Sequence, residues 1–124
     1  MVLICQLSLF GQNQIDLANE YFDNREYEKA LELYDRLAKR QENIPLIHKN
    51  YLEALKETNN LKEADKYLKR LLKSEPNSPQ FNADYAILLK DRGEATKSAE
   101  YLDGYLNTIK KDNQALHAAA LHFI

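Results

Sequence analysis

Sliding the chain against itself by 34 positions brings its apolar residues into register over three successive copies. Repetition at such an interval limits the fold more than any local feature, because each copy must be one supersecondary unit that stacks on its neighbours. The columns are Ala30, Ala64 and Ser98; Tyr34, Leu68 and Leu102; Leu37, Leu71 and Tyr105; and Ala38, Leu72 and Leu106. A second group joins Leu17, Tyr51, Tyr85 and Ala119, then Tyr21, Leu55, Leu89 and Phe123. Within a copy the spacing is helical. Leu17 and Tyr21 are four apart, as are Ala30 and Tyr34, and Tyr34, Leu37 and Ala38 continue the stripe of an amphipathic helix.

Short polar breaks divide the two stripes of each copy: DNRE at 23–26, TNN at 58–60 and DRGE at 91–94. Each copy therefore reads as a helical hairpin. Helix starts are signalled by Asn60 with Glu63 three residues on, which has the form of a capping box. Ser78 followed by Pro79 places a cap before a proline at the first helical position, and Pro45 opens the second copy likewise. Three Gly and three Pro in 124 residues supply too few tight turns for a sandwich or barrel of short strands. A hydrophobic share of 44% with 29% charged residues is that of a folded domain rather than a disordered one.

These columns resemble the tetratricopeptide repeat, a 34-residue helix-turn-helix unit. In the first copy Ala18 matches the family's small residue of the first helix, Tyr21 the aromatic after it, Ala30 the second-helix alanine and Tyr34 the later aromatic. Ala86 and Ala120 repeat the small site, whereas Leu52 departs from it. Gln14, His48 and Asn82 stand where the family has an early tryptophan, Ser98 replaces the alanine of the third copy, and that copy lacks the closing proline. The resemblance covers about residues 12–124. It implies an all-α, right-handed α-α superhelix, or solenoid, of three hairpins plus a seventh helix: repeats at about 12–44, 45–78 and 79–112, and a half repeat at 113–124. In that arrangement Ala30 and Ala64 lie where helices cross most closely, and Tyr21 and Tyr34 fill the space between turns.

The two ends differ from the middle. Val2 to Phe10 is nearly all apolar and uncharged, too short for a helix that spans a bilayer, which needs about 20 residues. It has the length of the apolar centre of a secretory signal, with Gly11 before a cleavage site, although no Lys or Arg precedes it. Residues 1–11 are therefore read as a truncated signal peptide of a bacterial protein exported to the periplasm or cell envelope. The alternative is a short apolar helix packed on the first repeat, in a cytoplasmic protein. At the other end NQALHAAALHFI, with Leu116, Ala119, Ala120 and Phe123, reads as half of a fourth repeat, whose uncovered stripe suggests a fragment of a longer array or self-association.

The resemblance also implies a site. Ligands of the family lie in the concave groove lined by the first helix of each hairpin, which here presents Ile15, Asp16, Asn19, Phe22 and Asp23; Lys49, Asn50, Glu53, Lys56 and Glu57; and Asp84, Ile87, Lys90 and Asp91. Six acids against three lysines, with apolar points at Ile15, Phe22 and Ile87, would suit a protein or peptide segment that carries Lys or Arg and one or two apolar anchors. Asn19 and Asn50 match in spacing the two asparagines with which some members clamp a chain's terminal carboxylate. Ile15, Gln80 and Asp84 stand where the clamp's cations belong, so a carboxylate would be repelled.

Other chemistry finds little support. Lys62, Lys66, Lys69, Arg70 and Lys73 form a basic stripe, relieved by Glu63 and Asp65, that reads as a solvated face; at a net charge of -2 the chain has no general pull toward nucleic acid. His117 and His122 are five apart and do not share a helical face, His48 stands alone, and the single Cys5 can form neither an internal disulfide nor a zinc cluster. No phosphate-cradling glycine loop or nucleophile turn occurs, so no enzyme, metal or cofactor is expected. The function expected is a protein-protein interaction or scaffolding module. The alternatives are the docking or regulatory portion of a larger enzyme or secretion-machinery protein, and, with Phe22 the one clear aromatic of the lining, capture of a small molecule or glycan.

Overall fold

The computed structural model describes the backbone of residues 2–122 and the side chains of residues 11–114, 117, 118 and 121. Six α-helices follow one another, α1 Val2–Asp23, α2 Tyr27–Leu37, α3 Ile44–Glu57, α4 Leu61–Ser74, α5 Pro79–Asp91 and α6 Ala95–His122, with a 3-10 turn at Gln41–Asn43 before α3. Among the described residues there is no strand.

The three polar breaks fold alike. Arg25, Asn59 and Gly93, each 34 residues from the next, have φ of 61°, 58° and 79°. Behind each left-handed residue the next amide reaches back to the carbonyl five residues earlier: Glu26 to Tyr21 at 2.8 Å, Asn60 to Leu55 at 2.7 Å and Glu94 to Leu89 at 2.9 Å. A bond spanning three residues accompanies it each time, from the amide of Arg25 to Phe22, of Asn59 to Lys56 and of Gly93 to Lys90. These are Schellman closures, which satisfy the last carbonyls of a helix and reverse the chain. Only the third carries the glycine that adopts such a φ without steric cost. The Asn60 side chain does not form the expected box; it donates to the Thr58 hydroxyl at 2.7 Å. Ser78 does cap α5, its Oγ accepting from the Phe81 amide at 3.2 Å with Pro79 in the first turn.

The chain divides into two compact units, residues 1–61 and 62–124. In the first, α1 and α2 form a hairpin and α3 packs on both. Ala18, Ala30, Tyr34 and Ile47 are buried, and the Tyr34 ring stacks on Tyr51 with centroids 6.0 Å apart. The Tyr51 hydroxyl continues to Asp35 of α2 at 2.6 Å. Leu52, the departure from the small site, is buried, so the larger side chain is accommodated within the core.

In the second unit α5 and α6 form the hairpin. Ser98, which takes the alanine place, lies buried and donates its hydroxyl to the Ala86 carbonyl at 2.7 Å, which keeps the close crossing without leaving a polar group unmet. Asn82, at the tryptophan place, has both amide hydrogens and its oxygen engaged: its amide donates to the carbonyls of Pro76 and Ser78, and its oxygen accepts from Tyr101. The Tyr101 ring meets Tyr85 edge-on at 4.8 Å. Asp65 of α4 pairs with Lys69 at 3.0 Å and with Arg92, just past α5, at 3.2 Å. Burial, the largest influence, pushes the Tyr67 hydroxyl well above its ordinary value.

Three further expectations need correction. The seventh helix is not a separate element, since α6 runs without a break from Ala95 to His122. Pro45 and Pro79 open the first helices of the second and third copies, and the same column holds Asn113, which neither fixes φ nor removes an amide donor. Leu17 is 40% exposed, whereas its counterpart Tyr51 is buried against Tyr34 of the preceding helix α2. Ile15, expected on the groove, is 5% exposed and belongs to the core. At the start of the chain, residues 2–10 continue into the first repeat as one helix; the side chains on which the signal-peptide expectation rests lie outside the described residues. Among the described residues no helix is long and apolar enough to cross a membrane.

Candidate protein-binding surface

In the first unit the structure brings together side chains from α1 and α3 that the sequence holds 31 residues apart. Asn50 Nδ2 of α3 donates to Asn19 Oδ1 of α1 at 3.2 Å, and the Tyr34 hydroxyl of α2 donates to the same oxygen at 2.6 Å. One amide oxygen has two lone pairs and accepts both. Burial raises the Tyr34 hydroxyl above its ordinary value; the Asn50 hydrogen bond opposes this and the Asp23 charge adds to it. Tyr34 therefore stays protonated and remains a donor. Three helices are tied at a single atom, and each asparagine amide retains hydrogen-bonding capacity beyond these contacts.

Around this node the other residues expected in the first unit are open to solvent to different degrees. Asp16, Asp23, Lys49 and Glu53 are exposed, and Phe22 and Lys56 are half-buried. Phe22 packs edge-on against Tyr27 at 5.5 Å, which holds its ring in place. Ile15 is withdrawn into the core, so Phe22 is the remaining apolar point on this face. The expected residues of the third copy, Asp84, Ile87 and Lys90, lie on α5 of the second unit, with Ile87 and Lys90 exposed and Asp84 half-buried. Asn19 and Asn50 were legible as a pair through the resemblance to the family's clamp. The part of Tyr34 was not, because a tyrosine in a core column gives no sign of where its hydroxyl points.

The basic stripe of α4 is largely compensated within its own helix. Lys66 pairs with Glu63 at 3.4 Å and Lys69 with Asp65, and the Arg70 guanidinium lies 5.9 Å from the centre of the Tyr67 ring. No cluster of three or more His, Cys, Asp or Glu able to hold a metal occurs among the described residues. A family model described as tetratricopeptide repeat matches residues 21–83. No curated protein matches the chain.

Proposed function

Because the chain belongs to the tetratricopeptide repeat family, whose repeats generally mediate protein-protein interaction, we propose that it is a non-catalytic module that binds a protein or peptide segment on the face shared by α1 and α3. The observation that supports this reading is the node at Asn19, Asn50 and Tyr34. It supplies fixed amides at the boundary of two helices, where an extended backbone can exchange hydrogen bonds. Asp16, Asp23 and Glu53 around it favour a segment with Lys or Arg, and Phe22 offers one apolar contact. Lys49 and Lys56 reduce the acidity without reversing it. Asp84, Ile87 and Lys90 belong to the second unit and are taken as candidate contacts of that unit by itself. We place the protein in the periplasm or cell envelope of a bacterium, on the apolar run from Val2 to Phe10.

A panel of peptides that combine basic and apolar residues, titrated by fluorescence anisotropy, tests the binding reading. Glu53→Lys and Asp16→Lys together should weaken the selected peptides at least about tenfold, since charge complementarity acts on both encounter and register. Both positions are exposed, so thermal melting should not move. Unchanged affinity would shift the binding face elsewhere. Fusing residues 1–24 behind an added Met-Lys-Lys, which restores the basic start that a truncated signal lacks, to a periplasm-dependent reporter tests the export reading, and a silent reporter would remove it.

A further inference from the structure

The outer half of α6 has left the hairpin that anchors its inner half. Ser98 and Tyr101 bind it to α5, and the last tie is the Tyr105 hydroxyl to the Asn77 carbonyl at 3.4 Å. Residues 106–122 then continue as helix beyond Pro79, where α5 begins. On this stretch Leu106 and Leu121 are 58% and 60% exposed and Ile109 is half-buried. With Asn113 and His117 they lie along one open side of α6. Leucines exposed singly are ordinary, but several along one helix face mark a surface made to be covered.

The spacing of that face points to its occupant. Leu102, Leu106, Ile109 and Asn113 follow one another at steps of four, three and four, and the sequence continues the alternation at Leu116 and Ala120. Over somewhat less than three heptads this is the spacing of a heptad seam, with Leu106, Asn113 and Ala120 at a and Leu102, Ile109 and Leu116 at d. The unbroken backbone of α6 keeps these positions in phase across the column where Pro45 and Pro79 interrupt the other copies. Asn113 is the discriminating residue. Against an apolar partner its amide would be buried without hydrogen bonds, which is costly. Facing its own equivalent in a parallel pair, each amide donates to the other; a single asparagine at an a position is known to fix this register and a two-stranded state. An antiparallel pair would set Asn113 against Ile109 or Leu116 instead. The flanks agree with the parallel arrangement, since Asp112 at g faces His117 of the partner subunit at e, five residues on.

We propose that α6 pairs with α6 of a second copy as a short parallel coiled coil whose register is set by Asn113. The pairing is separate from what the α1 and α3 face binds, and it makes the module bivalent for any partner that carries two segments.

Sedimentation equilibrium of the full chain, with Cys5→Ser to remove the native thiol, should show a dimer whose proportion rises with concentration. Leu106→Glu, at an exposed position that leaves the hairpin intact by circular dichroism, should raise the dimer dissociation constant at least about tenfold. Leu106→Cys in the same background should oxidise to a covalent dimer, because equivalent a positions face each other only in a parallel pair, whereas Lys111→Cys on the far side of the helix should not. Asn113→Leu should tighten association while admitting species larger than a dimer. A chain that stays monomeric at every concentration, a dimer indifferent to Leu106→Glu, or disulfides that form equally at 106 and 111 would each overturn the proposal; the first would assign the face to a different partner.

Discussion

The second helix of the first copy and the second helix of the third begin from the same pattern and end in opposite circumstances. In α2 and at its C-cap, Tyr34, Leu37 and Ala38 are buried, with the Tyr34 ring stacked on Tyr51 of α3. In α6 the same columns hold Leu102, half open at 36% exposure, and Leu106, more exposed still. Burial in a repeat is thus a property of the neighbour, not of the column, and an apolar stripe states only that some neighbour is wanted.

Substitutions in one column turn that contrast into a measurement. Leu68 and Leu102 are repeat equivalents, one at 0% exposure and the other at 36%. Leu68→Ala should cost about 2–5 kcal/mol in chemical denaturation, as a cavity in a closed core. Leu102→Ala should cost less than about 1 kcal/mol in a monomer, as expected for a position that is partly solvated. Equal losses would break the comparison. Ala64→Leu, at a fully buried position of α4, should cost about 1–3 kcal/mol by overpacking, and an unchanged melting temperature would show that the helices there do not cross closely.

Next in size are the turns. A Cβ at Gly93 would meet no atom within 4 Å, so Gly93→Ala isolates the backbone cost of a positive φ and should lose about 1 kcal/mol. Arg25→Gly, at the same place in the first copy, should gain less than about 1 kcal/mol, because relief of strain is partly offset by a more flexible unfolded chain. If both changes were neutral, the three turns would not share a strained geometry.

Alkali sharpens the contrast between the two units. Burial raises Tyr34 in the first unit and Tyr67, Tyr85 and Tyr101 in the second above the ordinary 10.0. A raised folded value contributes stability that is complete below the unfolded value and is lost as pH climbs through the folded one. Stability should therefore hold to about pH 10 and fall above it. Tyr67→Phe should flatten that fall more than Tyr34→Phe, since the largest displacement is at Tyr67. A pH profile indifferent to Tyr67→Phe would refute the assignment.

Most of the fold was legible in the sequence, because the helical stripes, the polar breaks and the period are all local or strictly repeating signals. The continuity of α6 was not. The sequence at 113 carries the period onward, yet the residue that would have ended the helix, a proline equivalent to Pro45 and Pro79, is missing, and periodicity alone does not separate one long helix from two. The site was legible in part. Asn19 and Asn50 stood out through the resemblance to the family's clamp, whereas Ile15 and Leu17 exchanged their expected places, Ile15 buried and Leu17 open, which a 34-residue period does not decide. The hydroxyl of Tyr34 depends on a tertiary approach for which one sequence offers no signal.

The three left-handed residues at constant interval have a consequence for how such a chain can change length. Arg25, Asn59 and Gly93 leave the backbone travelling in the same local direction at the same phase of the unit. Excising 26–59 would join Arg25 to Asn60 across a junction the chain already uses, and duplicating the same stretch would create another. Genetic gain or loss of a whole period is in this way a splice between matched ends, while gain or loss of any other length must rebuild a corner.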